Sequence, residues 1–474
     1  MKKIDIAIIG AGSAGLTAAR LAAKFGVQVV LFEKHRIGGD CLYTGCVPSK
    51  SLITVAREVY NAQQLRKYGV TAKTDIKYAQ IKKAIESSIH HIHDHEDSTE
   101  VLEKFGISVV NESVTFTSKN ILTSKSGKSY KFRKAIIASG SSPRKIDIPG
   151  LDSEHVVTSD TIWDMKLLPK QLIVLGGGPI GLELAQAYAM LGSQVTIVER
   201  SDTLLGNFDK SVAAQILKGL EESGVKILYE SGIENVKQET KLKVRIKTGT
   251  DKKAKSQTYT ADKILVAVGR VPNVTGLDLD TIKIEYSDRG IKVDDKFRTN
   301  VKNIYAVGDC KGGPFFTHLA GEHGATALTH ALFGVKRSVN WDALPWAFFT
   351  TPEVGHVGAS KKDLESKDVQ FTEEILGYDE IDKAIAEHHD GSVRVLLDKK
   401  RKVLGATIVG ENASELIGYY AYLMANGEKI DKLAVPIQAY PTYAMAMRRH
   451  ASDIQVKAFT NTIIPRILLK LRGY

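Results

Sequence analysis

Two glycine fingerprints, set in register within one chain, constrain this sequence more than any other feature. The chain opens with an apolar run from Ile4 to Ile9, then Gly10-Ala11-Gly12-Ser13-Ala14-Gly15. A helical pattern follows from Leu16 to Phe25, then Gly26, a second apolar run from Val27 to Phe32, and Glu33. That order is strand, glycine turn, helix, strand, acid. The first glycine permits the tight turn, the second lets backbone approach a pyrophosphate, and the third allows close helix packing, with the helix N-terminus facing the phosphate charge. Gly176, Gly178, Gly181, Gly192 and Glu199 repeat Gly10, Gly12, Gly15, Gly26 and Glu33 at a constant offset of 166 residues. A lone fingerprint is a weak sign. Two in register, each closed by an acid able to accept ribose hydroxyls, predict two Rossmann-like dinucleotide sites in an α/β chain.

Between them lies Gly38-Gly39-Asp40-Cys41-Leu42-Tyr43-Thr44-Gly45-Cys46-Val47-Pro48-Ser49-Lys50. The spacing of Cys41 and Cys46 allows a disulfide if the chain bends at Gly45. Read as two buried structural cysteines, the pair would leave the flanking glycines and the adjacent fingerprint unexplained. The chain has 3 cysteines, too few for a secreted disulfide framework. A reducing, cytoplasmic setting follows, in which such a pair is catalytic rather than structural.

At 474 residues the chain is long enough for several domains, and 43% hydrophobic with 25% charged residues is ordinary for a soluble globular protein. No apolar stretch is long enough for a transmembrane helix. The Met1-Lys2-Lys3 start is not read as a signal peptide, because Asp5 interrupts the apolar run and Glu33 completes the nucleotide unit. The net charge of +11 is dispersed, and its densest segment alternates as Lys241-Leu242-Lys243-Val244-Arg245-Ile246-Lys247, one solvated strand face; no nucleic-acid binding is expected. His90, His91, His93 and His95 fall in a stretch, Ala79 to Phe105, that reads as one helix with Ile81, Ile85, Ile89 and Ile92 at helical spacing. They are expected on its solvated face, with no metal site. The tail from Ile463 to Leu471 mixes apolar residues with Arg466 and Lys470. Packing on a partner subunit is expected there ahead of membrane-surface contact, since Pro465 and the short length weaken an amphipathic helix.

On these motifs the chain resembles the flavin-dependent pyridine nucleotide-disulfide oxidoreductases, which include dihydrolipoamide dehydrogenase, glutathione reductase and mercuric reductase. Further markers are Thr299 to Asp309 (TNVKNIYAVGD), Phe348 to Gly358 (FFTTPEVGHVG), and the strand-to-glycine crossings Ala135 to Gly140 and Ile264 to Gly269. The resemblance implies an FAD-binding domain at 1–150 and 271–343, an NAD(P)-binding domain at 151–270, and a C-terminal α+β dimerisation domain at 344–474. It implies a homodimer. It also implies roles. Gly10, Gly12, Gly15 and Glu33 would hold the adenosine half of FAD, and Asp309 its ribityl chain. Gly140 and Gly269 would mark the domain crossings, and Gly176, Gly178, Gly181 and Glu199 would hold the nicotinamide nucleotide. Lys50, paired with Glu183, would lie near the reactive edge of the flavin, and Thr317 would present its backbone N–H to the pyrimidine edge. Cys46 would contact the flavin, its thiolate stabilised by that environment, and Cys41 would meet the acceptor.

Glu199 accepts from a ribose 2′-hydroxyl and repels a 2′-phosphate, so NADH is favoured over NADPH, with Arg200 beside it as the feature that could admit NADPH. The disulfide-reducing members carry a histidine before Pro-Thr and a glutamate five residues after that histidine, an acid–base pair for the exchanging thiol. Here Tyr440 and Met445 stand in those places. A tyrosine titrates near ~10 and is a poor base at neutral pH. Tyr440 has two readings: a direct role, or packing in an aromatic pocket with Tyr443. A tyrosine there is similar to the mercuric reductase branch, but no cysteine follows Cys310 to deliver a metal. The chain is thus expected to pass electrons from nicotinamide through FAD to the Cys41–Cys46 pair and on to a disulfide, metal ion, quinone or reactive oxidant. The alternative is a slow redox-sensing flavoprotein with an interaction role.

Overall fold

The first apolar run forms the strand Lys2–Ile9, with Ile4, Ile6, Ala7, Ile8 and Ile9 all buried. Successive side chains of a strand point to opposite faces. Ala7 and Ile9 accordingly enter one core and Ile6 and Ile8 another, which is why a strand covered on both faces needs a continuous apolar sequence. The computed structural model in which this is seen describes residues 2–151, 154–206, 208–249, 254–335 and 339–473.

Lys2–Ile9 runs parallel to Val29–Phe32 on one side and to Ser129–Ile137 on the other, and Ile107–Val110 extends the sheet past Val29–Phe32. Ser129–Ile137 then forks. Its first half pairs antiparallel with Ile121–Ser124, while Ala135 to Ile137 pair parallel with Ile304–Ala306, a strand from far along the chain. A second parallel sheet centres on Gln171–Leu175, flanked by Gln194–Val198 and Lys263–Val266. Ser231–Gln238, Leu242–Thr248 and Lys255–Ala261 form a separate antiparallel sheet. In Leu242–Thr248, Leu242, Val244 and Ile246 are buried and Arg245 and Lys247 exposed, the solvated face expected from the lysine alternation. The two crossings continue as Ser141–Pro143 and Arg270–Pro272, which pair with each other antiparallel.

These sheets belong to one compact unit, Met1–Asp202 with Lys226–Val339; a second comprises Thr203–Val225 with Asn340–Tyr474. The second unit holds an antiparallel sheet in the order Pro345–Phe348, Val354–Gly358, Val403–Val409, Ser392–Leu397, Thr372–Gly377. Helices Ala413–Ala425 and Tyr443–Thr460 contribute to its core. Helix Lys210–Glu222 joins this unit through Gly219, where a Cβ would meet the Thr351 carbonyl oxygen at 2.2 Å.

Two local expectations are corrected. The stretch 79–105 is not one helix but Tyr78–Ile92, a π-helical turn His93–Asp97, and Thr99–Lys104. Ser98 restarts the helix as its N-cap, accepting from the Val101 N–H at 3.3 Å, and Arg20 holds the turn through the Asp97 carboxylate at 2.7 Å and the Glu96 carbonyl at 2.6 Å. Pro465 does not prevent a tail helix. It sits in the first turn of Ile464–Leu471, where a missing N–H has no intrahelical partner to lose. Among the described residues no helix is long and apolar enough to cross a membrane.

Candidate active site

A cleft of about 710 Å³ runs through the first unit from Glu33 and Lys34, past Gly12 and Asp309, to Cys41 and Thr317. The fingerprint builds its floor. A Cβ on Gly15 would meet the Gly10 carbonyl oxygen at 1.9 Å, so the helix Ser13–Lys24 can lie this close only with glycine there. Gly12 is different: nothing lies within 4 Å of where its Cβ would be, and it lines the cleft at the helix N-terminus. Open space, unpaired helix N–H groups and a positive helix end fit a pyrophosphate. Glu33 accepts from the Ala11 N–H at 2.7 Å and the His35 N–H at 2.8 Å. Asp309 accepts from the Ser141 hydroxyl at 2.6 Å; burial pushes its carboxyl above the ordinary range, opposed by Ser141 and Arg270. Gly140 also lines the cleft.

The second fingerprint repeats this construction. A Cβ on Gly181 would meet the Gly176 carbonyl oxygen at 2.2 Å, whereas Gly178 faces open space before the helix Pro179–Met190. Glu199 accepts from the Gly177 and Ser201 N–H groups, both at 2.8 Å. Gly269 immediately precedes the crossing strand Arg270–Pro272.

The thiols sit on two helices. Cys41 lies in the short helix Gly39–Tyr43, and Cys46 is the first residue of Cys46–Gln64. The chain bends between them at Gly45, where a Cβ would be 2.9 Å from the Asp40 carbonyl oxygen. Both are present as thiols. Their titrations are driven apart. Cys46 is pulled below the ordinary thiol range by a hydrogen bond from Cys41, by the Thr317 hydroxyl 3.3 Å away and by the charge of Lys50; Cys41 is pushed up by the same bond and by burial. A helix N-terminus under Cys46 acts in the same direction. These surroundings favour Cys46 over Cys41 as the thiolate.

Lys50, one turn along the same helix, donates to Glu183 Oε2 at 2.8 Å; Glu183 is deeply buried. Thr317 opens the helix Thr317–Phe333, and its carbonyl accepts from the Ser13 hydroxyl at 2.9 Å. The neighbouring His318 stacks on Phe316 with ring centroids 5.5 Å apart. Two anchors have no sequence signal. Arg270, 13% exposed, binds Asp40, the Ser141 hydroxyl at 2.8 Å and Asp160 at 3.3 Å, so it clamps the residue before Cys41 to the crossing strands. Trp163 Nε1 donates to the Thr44 and Ser159 carbonyls, both at 2.8 Å, fixing the loop between the cysteines.

Tyr440 lies in the second unit and is 67% exposed. The aromatic pocket proposed for it with Tyr443 does not form within the chain. Tyr443 is buried, packs on Tyr378 at 5.3 Å and donates to Glu387 at 3.0 Å, because the helix it opens turns it into the core. Met445 sits in the first turn of that helix, its N–H capped by Thr442 at 3.1 Å. The histidine cluster is similarly local: His93 meets Asp94 at 2.9 Å and His95 meets the His91 carbonyl at 2.8 Å.

Residues 4–324 match the family model for pyridine nucleotide-disulphide oxidoreductases, and residues 344–451 match that family's dimerisation domain. The chain belongs to the pyridine nucleotide-disulphide oxidoreductases. The dihydrolipoyl dehydrogenase of Haloferax volcanii is 34% identical over 467 residues, covering 95% of this chain and 96% of the relative. A mercuric reductase of Bacillus cereus is 29% identical, covering 94% of this chain and 70% of the relative. Among solved structures, the HOCl-induced flavoprotein disulfide reductase RclA of Escherichia coli superposes with a TM-score of 0.84 at 25% identity, covering 94% of this chain and 99% of that one. This oxidoreductase is FAD-dependent, and its family uses FAD and NAD(H). The cleft has the fit that FAD requires: an open glycine floor, a helix N-terminus, Glu33 at one end and Cys41 and Thr317 at the other.

Proposed function

We propose that this oxidoreductase uses NADH to reduce the Cys41–Cys46 disulfide, and that the resulting dithiol reduces a small-molecule or metal-ion acceptor. The observation that carries it is the split between the thiols: Cys46, at a helix N-terminus beside Thr317 and near Lys50, is favoured as thiolate, while Cys41 is favoured as the protonated thiol. When bound, FAD supplies the relay that takes a hydride from NADH and hands on two electrons. The electron count matches the geometry. A hydride equivalent entering the disulfide breaks one S–S bond and leaves one S–H and one thiolate, the split that the surroundings of Cys41 and Cys46 favour. Cys46 then stores the charge, held by the hydroxyl and ammonium around it. Cys41 is the thiol that meets the acceptor.

Gly10, Gly12, Gly15, Glu33, Gly140, Asp309 and Thr317 are assigned to FAD, with Lys50 and Glu183 beside its reactive end. Gly176, Gly178, Gly181, Glu199 and Gly269 are assigned to the nicotinamide nucleotide, with NADH preferred over NADPH. The domains divide at 1–150 with 271–343, 151–270 and 344–474, and the protein acts as a cytoplasmic homodimer. Tyr440 and Met445 favour an acceptor that needs no general acid at that position. Metal ions and oxidants qualify, in keeping with the mercuric reductase relative and with the Cu(II) complex known for the RclA reductase.

Anaerobic titration of the holoenzyme with NADH tests this. A long-wavelength thiolate–flavin absorption band at two electrons per subunit is expected. Direct bleaching of the flavin with no such band would overturn dithiol use.

A further inference from the structure

The helix Ile464–Leu471 presents an apolar stripe to solvent. Ile464, Ile467, Leu468 and Leu471 follow the i, i+3, i+4, i+7 spacing of one helix face and are 48–77% exposed. Arg466 and Lys470 lie one turn apart on the opposite side, and Arg472 follows the last turn. From Ile454 to Gly473 the sequence contains Lys457, Arg466, Lys470 and Arg472 and no aspartate or glutamate. The match to the dimerisation domain ends at residue 451, before this segment.

We infer that this helix docks the protein on an anionic membrane surface. A helix with a continuous apolar stripe, a cationic opposite face and no acids lies in the plane of a lipid interface, its stripe among the acyl chains and its cations at the headgroups. Long cationic side chains reach the headgroup level while their stems stay in apolar surroundings. A second copy of the chain is the poorer occupant: stripe packed on stripe about a twofold axis would leave Arg466, Lys470 and Arg472 facing outward, where no acid of this segment offsets them. The docking does not depend on the acceptor.

Sedimentation of the holoenzyme with vesicles tests the inference. Binding is expected to phosphatidylglycerol-containing vesicles and not to pure phosphatidylcholine. Three cations near an anionic surface contribute enough that R466Q/K470Q/R472Q should weaken binding on the order of 100-fold. Ile467→Glu with Leu468→Glu should abolish it. Both variants should keep the oligomeric state and the rate of NADH-dependent flavin reduction. Absence of binding to the anionic vesicles, equal binding to both compositions, or dissociation of the oligomer by the Ile467→Glu/Leu468→Glu change would each overturn it, the last by assigning the stripe to a second copy.

Discussion

Lys50 Nζ donates to Glu183 Oε2 at 2.8 Å, joining the helix that begins at Cys46 to the helix that follows the second fingerprint, across 133 residues of chain. The ion pair holds a positive charge near the Cys46 thiolate. Lys50→Met removes that charge and leaves a buried carboxylate without this partner. The variant should slow NADH-dependent flavin reduction by roughly 10²-fold and raise the Cys46 pKa. Stopped-flow absorbance and a pH titration of the reduced enzyme measure both.

The opposed shifts of the two thiols set a pH dependence. Because the Cys46 pKa is lowered, its thiolate persists as pH falls below the ordinary thiol range and is lost only on further acidification. Because the Cys41 pKa is raised, Cys41 stays protonated well into the alkaline range. In the two-electron-reduced holoenzyme the long-wavelength band should therefore hold through neutral pH and fade in acid. Cys41→Ser should keep the band and lose acceptor turnover. Cys46→Ser should lose the band altogether.

At Tyr440 and Met445 the acid–base pair of the disulfide-reducing relatives can be restored. Tyr440 is exposed and Met445 is in a first helical turn, so Tyr440→His with Met445→Glu should fold. General acid–base catalysis contributes about 10²–10⁴-fold where it operates. The double variant should raise turnover with dihydrolipoamide by at least about 10-fold at neutral pH, while flavin reduction by NADH stays unchanged. Steady-state and rapid-reaction kinetics separate the two.

Glu199 bears on nucleotide choice. Its carboxylate is fixed by the Gly177 and Ser201 N–H groups at the end of the strand Gln194–Val198. Glu199→Gln removes the charge that repels a 2′-phosphate and leaves Arg200 to attract one. The ratio of kcat/KM for NADH to that for NADPH should fall by about 10-fold, a change of one unpaired charge contact.

Two glycines of the first fingerprint should fail in different ways. Gly15→Ala places a methyl 1.9 Å from a carbonyl oxygen, so the helix must shift, and a loss of about 1–3 kcal/mol in folding stability is expected. Gly12→Ala meets no protein atom within 4 Å, so the apoprotein should keep its stability and lose flavin affinity instead. Thermal denaturation with and without added FAD distinguishes them.

Much of this was legible in one dimension. The constant offset between the fingerprints extends to their hydrogen bonds: Glu33 accepts from the residue after Gly10, and Glu199 from the residue after Gly176. Strand, turn, helix and acid are set by short-range sterics and by periodicity, which a sequence displays directly. The bend at Gly45 and the outward lysines of Leu242–Thr248 were readable for the same reason. The resemblance already pointed to Cys46 as the thiolate; only the tertiary structure supplied the groups that favour it there, the hydrogen bond from Cys41 and the Thr317 hydroxyl brought from 271 residues away. It also decided that Arg270 clamps Asp40, that Ser98 and Arg20 break the histidine helix, and that Tyr443 turns inward while Tyr440 stays out. Ionisation, anchoring and burial depend on contacts made across the fold, and such contacts leave no period in the sequence.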